Sequence, residues 1–453
     1  MDRKNKIKEH LGESYDIVYR SINIDDKNVF ITFLSSLGSA SLLASLVEGI
    51  VISVSRMNDV YCYPSGVVLE DNFNKAMNAV LSGQCVMIIE GVEGYFVIET
   101  RSYPSRASGE PRSEQSVRAS QDGFVENIIF NTGLIRRRVR DSRLSIKLIQ
   151  KGLRSKTDIA YAYIQGCVDE EILIDFQDRI DNMEDADIIS ERYFVDLLYG
   201  KSYNPYSHVK YTQRSDIASI CLLQGYIVVI VDNSCNAVII PTTFFEQLQQ
   251  IEEYTQTPVI SMFIKIIRMI GILFSIYLLP FWVGINVDKI PTFLNIPLIE
   301  NLKIFEFGFQ VLFADIVVEW IRLSLIHTPS ILSGILGFIA VFILGDMAIE
   351  LGAYTKEVLV VIALVNIGTM ITPNYELSLA NKIFRIMITI LALCFGCTGF
   401  IIGCLIHFFV LVNTKHIGYP YLYPIIPFSY QGIKDKFFHS KIRSRKHNTK
   451  NNK

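Results

Sequence analysis

The sequence predicts an α+β cytoplasmic region of two similar α/β subdomains, followed by a multi-pass α-helical membrane domain. Three observations point there. Apolar runs long enough to cross a bilayer are concentrated between Val259 and Val412. Half of the 453 residues are hydrophobic and only 19% are charged, against roughly 25% in soluble domains. The polar part also repeats itself: Gly83-QCVMII-Glu90 matches Gly225-YIVVIV-Asp232 position for position, and the returning strands at 96–98 and 238–240 sit at equal offsets.

Residues 1–27 are polar and read as an arm with no apolar leader, so the region before Pro258 is expected in the cytoplasm. Residues 28–153 form the expected first subdomain. Within it, Phe73 to Leu81 reads as a short helix stopped by Gly83, and Cys85–Ile89 and Tyr95–Glu99 read as a hairpin. Phe124 to Val139 reads as a helix ending in Arg136, Arg137 and Arg138, with Arg140 beyond, where the helix dipole favours cations. Arg101 and these four arginines are interleaved with acids such as Glu114 and Asp122. That mixture favours ion pairs between domains or subunits over a nucleic-acid groove, and it predicts an oligomer interface. Residues 154–250 form the second subdomain, with a strand over Asp158–Gln165 and a helix over Asp169–Ile180.

Residues 251–415 form the membrane domain, with four or five spans. Met269–Val287 is headed by Lys265 and Arg268, as a cytoplasmic entry requires. Ile304–Ile326 carries Asp315, Glu319 and Arg322, and is expected to lie at the interface or half-buried. The next span, Ile331–Leu351, ends in Asp346 and Glu350. Ile383–Val412 reads as one tilted helix entered by Lys382 and Arg385. In Val358–Thr372, Ile362, Asn366 and Thr369 fall on one helical face. Two uses of that file stay open. It packs against other helices through buried amides, or it lines a watery pore. The basic tail, 416–453, is expected to stay cytoplasmic, which demands an even number of crossings.

Several segments taken together resemble the GerA spore germination family, A-subunit type. They include Asp122-Gly123-Phe124-Val125-Glu126-Asn127, Arg136-Arg137-Arg138, Lys156-Thr157-Asp158, Pro241-Thr242-Thr243-Phe244-Phe245 and Pro373-Asn374-Tyr375-Glu376-Leu377. The resemblance implies a multi-pass protein of the inner spore membrane that acts in germination. It also implies A-type subunits gathered in a homo-oligomeric ring around a path for monovalent ions. Ile362, Asn366 and Thr369 would then line the path, and Asp315, Glu319, Asp346 and Glu350 would be acids in or near the membrane. The implied partners are lipids and other germination membrane proteins. A nutrient-receptor A subunit and a non-conducting scaffold are the alternatives.

Nothing in the sequence supports catalysis. There is no nucleophile elbow, no HExxH and no paired Cys/His metal spacing, so no metal, cofactor or enzyme activity is expected. Cys394-x-x-Cys397 lies inside an apolar run without a second ligand pair, and reads as small packed side chains.

Overall fold

A computed structural model describes residues 3–24, 27–38, 66–102, 119–200, 203–289, 303–326, 348–414 and 420–438, with isolated positions between them. The N-terminal half holds two antiparallel sheets of five strands. The first contains β1 (Ile17–Ile24), β2 (Lys27–Leu34), β3 (Val67–Glu70), β4 (Cys85–Ile89) and β5 (Tyr95–Ile98), in the order β1-β2-β4-β5-β3. The second contains β6 (Leu144–Lys151), β7 (Thr157–Ile164), β8 (Lys210–Thr212), β9 (Ile227–Val231) and β10 (Ala237–Ile240), in the order β6-β7-β9-β10-β8. Position for position, the two orders are the same.

The repeat read from the sequence extends to register. Cys85 pairs with Ile98 as Ile227 pairs with Ile240, and Met87 with Phe96 as Val229 with Val238. Each hairpin follows a helix, α2 (Phe73–Leu81) or α6 (Ser215–Gln224). Both helices end on a left-handed glycine, Gly83 at φ 95° and Gly225 at φ 93°. Matching bonds close both ends: Gly83 N–H donates to Val80 O and Gln84 N–H to Ala79 O, as Gly225 N–H does to Leu222 O and Tyr226 N–H to Cys221 O. That pattern needs a residue with free access to positive φ.

β4 and β9 are buried along their whole length because helices cover both faces. On the second sheet, α3 (Ile128–Arg138) and α6 pack against Ala160, Val228 and Ile230. The alternate residues Ile159, Val229 and Val231 meet α4 (Glu170–Asp181) and α5 (Glu191–Tyr199). A strand packed on both sides has no polar face, hence its unbroken apolar run.

The polar arm expected over 1–27 is part of the first sheet unit. α1 (Arg3–Leu11) buries Ile7 and Leu11 against it, and β1 is a full edge strand. The boundary expected at 153/154 also moves. β6 and α3 belong to the second sheet, so that unit begins before the arginine cluster.

The C-terminal half is a bundle of α7 (Pro258–Asp288), α8 (Ile304–Ile326), α9 (Lys356–Met370) and α10 (Tyr375–Asn413), with α11 (Tyr430–Phe438) beyond it. Among the described residues, α7 and α10 are long and apolar enough to cross a membrane. α10 is not the single tilted helix expected over Ile383–Val412. It reverses at Gly396, at φ 59° and ψ −141°, and its two arms run back along each other. Gly403 lies against Ile388, and the rings of Phe384 and His407 stack with centroids 4.6 Å apart. The Asp288 carboxylate, at the end of α7, accepts from Cys397 N–H at 2.8 Å and caps the second arm. A Cβ on Gly396 would collide with that carboxylate. Gly396→Ala is therefore expected to destabilise the protein by about 1–3 kcal/mol, read as a lowered Tm of the purified protein in detergent.

α8 is half-buried, with one face packed into the bundle. Phe307, Val311 and Ala314 are buried in a common core with Trp282, Val358 and Ile362, while Phe305, Phe309 and Trp320 face outward. Most of the Ile331–Leu351 span, with Asp346, and the basic tail beyond 438 fall outside the described residues.

Candidate functional site

Two helices carry complementary charges at matching helical spacing. Asp315, Glu319 and Arg322 share one face of α8; Ser378, Lys382 and Arg385 share one face of the first arm of α10. The fold presses these faces together. Arg385 Nη2 lies 2.6 Å and Nε 3.2 Å from the two Asp315 oxygens, a forked pairing. Its Nη1 donates to Thr369 Oγ1 on α9 and to Ser275 O on α7, both at 2.9 Å. Lys382 Nζ donates to Glu319 Oε2 and to Asp315 O, also at 2.9 Å. Arg322 Nη2 closes on Glu319 Oε1 at 2.6 Å, and its Nη1 reaches Ser378 Oγ at 3.2 Å.

Asp315 is 1% exposed and Arg385 fully buried. Charges so far from water persist only where they are paired and hydrogen-bonded. Here one guanidinium ties together the four long helices among the described residues. Among the described residues, two acids meet three cations in the network.

Sequence reasoning found Asp315 and Glu319 but took Lys382 and Arg385 for the entry to a span. The signal lay in the sequence: bases on one helix repeat the three-four spacing of the acids on another. Glu350 is exposed and takes no part.

The polar file on α9 packs; it does not line a channel within this chain. Ile362, Asn366 and Thr369 are 2%, 7% and 4% exposed. Ile362 sits in the apolar core, Asn366 Nδ2 donates to Ile362 O at 2.9 Å and approaches Asp315, and Thr369 accepts from Arg385. Within this chain, α8 and α10 cover the file. Beyond Lys356 at its start, the outward face of α9, with Val360, Leu364 and Ile367, is apolar.

The arginine cluster is also redistributed. Arg136 is fully buried and forks onto Asp16, which removes it from any surface between subunits. Arg101 pairs with Glu99 and Arg138 with Asp122; Arg137 and Arg140 are exposed.

The sheets are fastened to the bundle by a buried polar node. Tyr206 Oη lies 2.6 Å from His407 Nε2 and 3.2 Å from Asn381 Oδ1, and Tyr277 Oη lies 2.8 Å from His407 Nδ1. Nearby, Arg268 pairs with Glu253 and donates to Leu248 O at 2.8 Å. Asn204 Nδ2 donates to Thr414 Oγ1 at 2.6 Å.

The family model described as Bacillus/Clostridium GerA spore germination protein matches residues 5–451. The chain belongs to the GerA family. Among GerA-family proteins, it is 35% identical to stage V sporulation protein AF of Bacillus subtilis, with 94% of this chain and 88% of that protein covered. It is 25% identical to spore germination protein KA of the same species, over 95% and 82%, and 23% identical to GerLA of Bacillus cereus, over 95% and 91%. A solved structure, the N-terminal domain of the A subunit of the Bacillus megaterium germinant receptor GerK3, matches 53% of this chain and 93% of its own. The identity there is 21% and the TM-score 0.38.

Proposed function

We propose that this GerA-family chain is a multi-pass subunit of the inner spore membrane that acts in germination, with its sheets on the cytoplasmic side. One observation carries the membrane reading: the bundle buries its charged and polar groups and exposes large apolar ones. Asp315, Lys382, Arg385, Asn366 and His407 are buried, while Ile267, Phe274, Phe309, Ile367, Ile390 and Phe409 are exposed. A water-soluble bundle sorts its residues the other way, whereas lipid favours an apolar surface and confines charge to the interior. The chain enters the bundle beside the sheets, at Arg268, and leaves it beside them, at Thr414. That supports an even number of crossings.

The germination role follows from the relatives. Ion conduction by a homo-oligomer is the finer part of the proposal. In it the apolar outer face of α9, rather than the buried file, meets its copies, and rings of Leu364 hold the path closed by excluding water. The test is the purified protein in potassium-loaded liposomes. It should resist alkaline carbonate extraction, and Leu364→Ser should leak potassium faster than the parent. Extraction by carbonate would refute the membrane reading. Equally tight vesicles for both proteins would refute conduction and leave a membrane-anchored scaffold.

A further inference from the structure

A cleft of about 360 Å³ opens where the second sheet meets the turn joining α9 to α10. That volume lies within the range of small-molecule sites. Its walls come from the start of α5, from β8, from the segment 247–252 and from residues 373–376.

Four carboxylates line it: Glu114, Glu191, Glu252 and Glu376. Glu114 accepts from Thr212 Oγ1 and Gln213 N–H, both at 2.8 Å. Glu191 accepts from Asn236 Nδ2 at 2.7 Å and from Ser234 Oγ. Neither these two nor Glu252 has an ion pair among the described residues. Glu376 meets Arg192 at only 3.6 Å.

The cations in the wall are engaged elsewhere. Lys210 Nζ donates to Glu246 O and Gln249 O, both at 3.0 Å. Arg214 pairs with Asp216 at 2.9 Å, and Arg192 pairs with Asp196 at 2.9 Å as well as reaching Glu376. Among the described residues, the carboxyl groups in the wall outnumber the cations, and Arg214 and Arg192 are each also paired outside it, with Asp216 and Asp196. The Tyr211 oxygen, also in the wall, lies beside Arg192.

We propose that this cleft binds a small organic dication, of the aliphatic diamine class, whose two ammonium groups span the separated carboxylates. A metal ion fits less well, since no group of three or more acidic, histidine or cysteine side chains among the described residues converges closely enough to hold one. Burial pushes the Glu114 carboxyl up from its ordinary range, and a bound ammonium would draw it back towards the charged form. Glu376 lies in the first turn of α10. A cation there competes with Arg192 for it, so occupancy of the cleft bears on the start of a bundle helix. The proposal does not depend on ion conduction.

The experiment is calorimetric titration of the full-length protein in lipid nanodiscs with putrescine, and with n-butylamine as the monocation at matched ionic strength. One putrescine per chain is expected, with butylamine about tenfold weaker. Glu252→Gln and Glu376→Gln should each weaken putrescine by about tenfold, and Arg192→Gln should tighten it. Circular dichroism of each variant establishes that it folds. Absence of putrescine binding, equal affinity for the two amines, or binding indifferent to all three substitutions would overturn the assignment.

Discussion

Arg385→Ala is expected to cost about 3–5 kcal/mol of stability, the range for breaking a buried ion pair from one side. The guanidinium bonds to Asp315 on α8, Thr369 on α9 and Ser275 O on α7. Its loss leaves Asp315, 1% exposed, with Lys382 Nζ 3.5 Å away as its remaining cation. Arg385→Lys should recover only part of the loss, because an ammonium cannot reproduce the fork on the carboxylate. The double variant Asp315→Leu/Arg385→Leu should be much less damaging than the sum of the two single changes, since no charge is then stranded. Unfolding in detergent, followed by tryptophan fluorescence, reads all three, because Trp282 and Trp320 lie on α7 and α8 of this bundle. A small, additive effect would mean that the network is solvated and does not hold the helices.

What the sequence revealed and what it concealed divide along the range of the interactions. The hairpins were legible because glycine, strand and acid recur over a short span, and a local pattern suffices to set their register. The direction of α10 was not. Two apolar helices joined through Gly396 make one continuous hydrophobic run, and hydropathy averages over the break. Lys382 and Arg385 were misread for a related reason: a cation beside an apolar segment satisfies the positive-inside rule, yet here it answers an acid about 65 residues away in sequence, on a helix brought alongside only by the fold. The file on α9 was recognised as a file. Which neighbour covers it is a question of packing between distant segments, and periodicity within one helix does not contain that answer. Arg136 shows the same limit on the soluble side. Three consecutive arginines look alike in sequence, but a helical step of 100° turns one of them into the protein and leaves the next outside.

That difference sets the second large effect. Asp16→Ala is expected to destabilise the sheet region by about 3–5 kcal/mol, whereas Arg137→Ala should stay within about 0.5 kcal/mol of the parent. Arg136 Nε lies 2.7 Å from Asp16 Oδ2 and its Nη2 2.8 Å from Oδ1, with both side chains fully buried. The same Nη2 donates to Leu144 O at 3.0 Å and to Ser14 Oγ at 3.2 Å. Ser14 Oγ accepts from Ile146 N–H, and Tyr15 N–H donates to Ile146 O, both at 2.8 Å. The segment just ahead of β1 is thereby bound to β6 and α3, so one ion pair joins the first sheet unit to the second. Removing Asp16 strands a guanidinium at the seam, and faster amide hydrogen exchange should appear at Tyr15 and Ile146 before it appears in β4 or β9. Asp16→Asn keeps the shape and one acceptor but loses the charge, and should fall between the parent and Asp16→Ala. If exchange accelerates uniformly over both sheets, the pair serves general folding and not the seam. If Arg137→Glu but not Asp16→Ala changes the oligomeric state on size exclusion, the exposed arginines, and not the buried one, form the contact between copies.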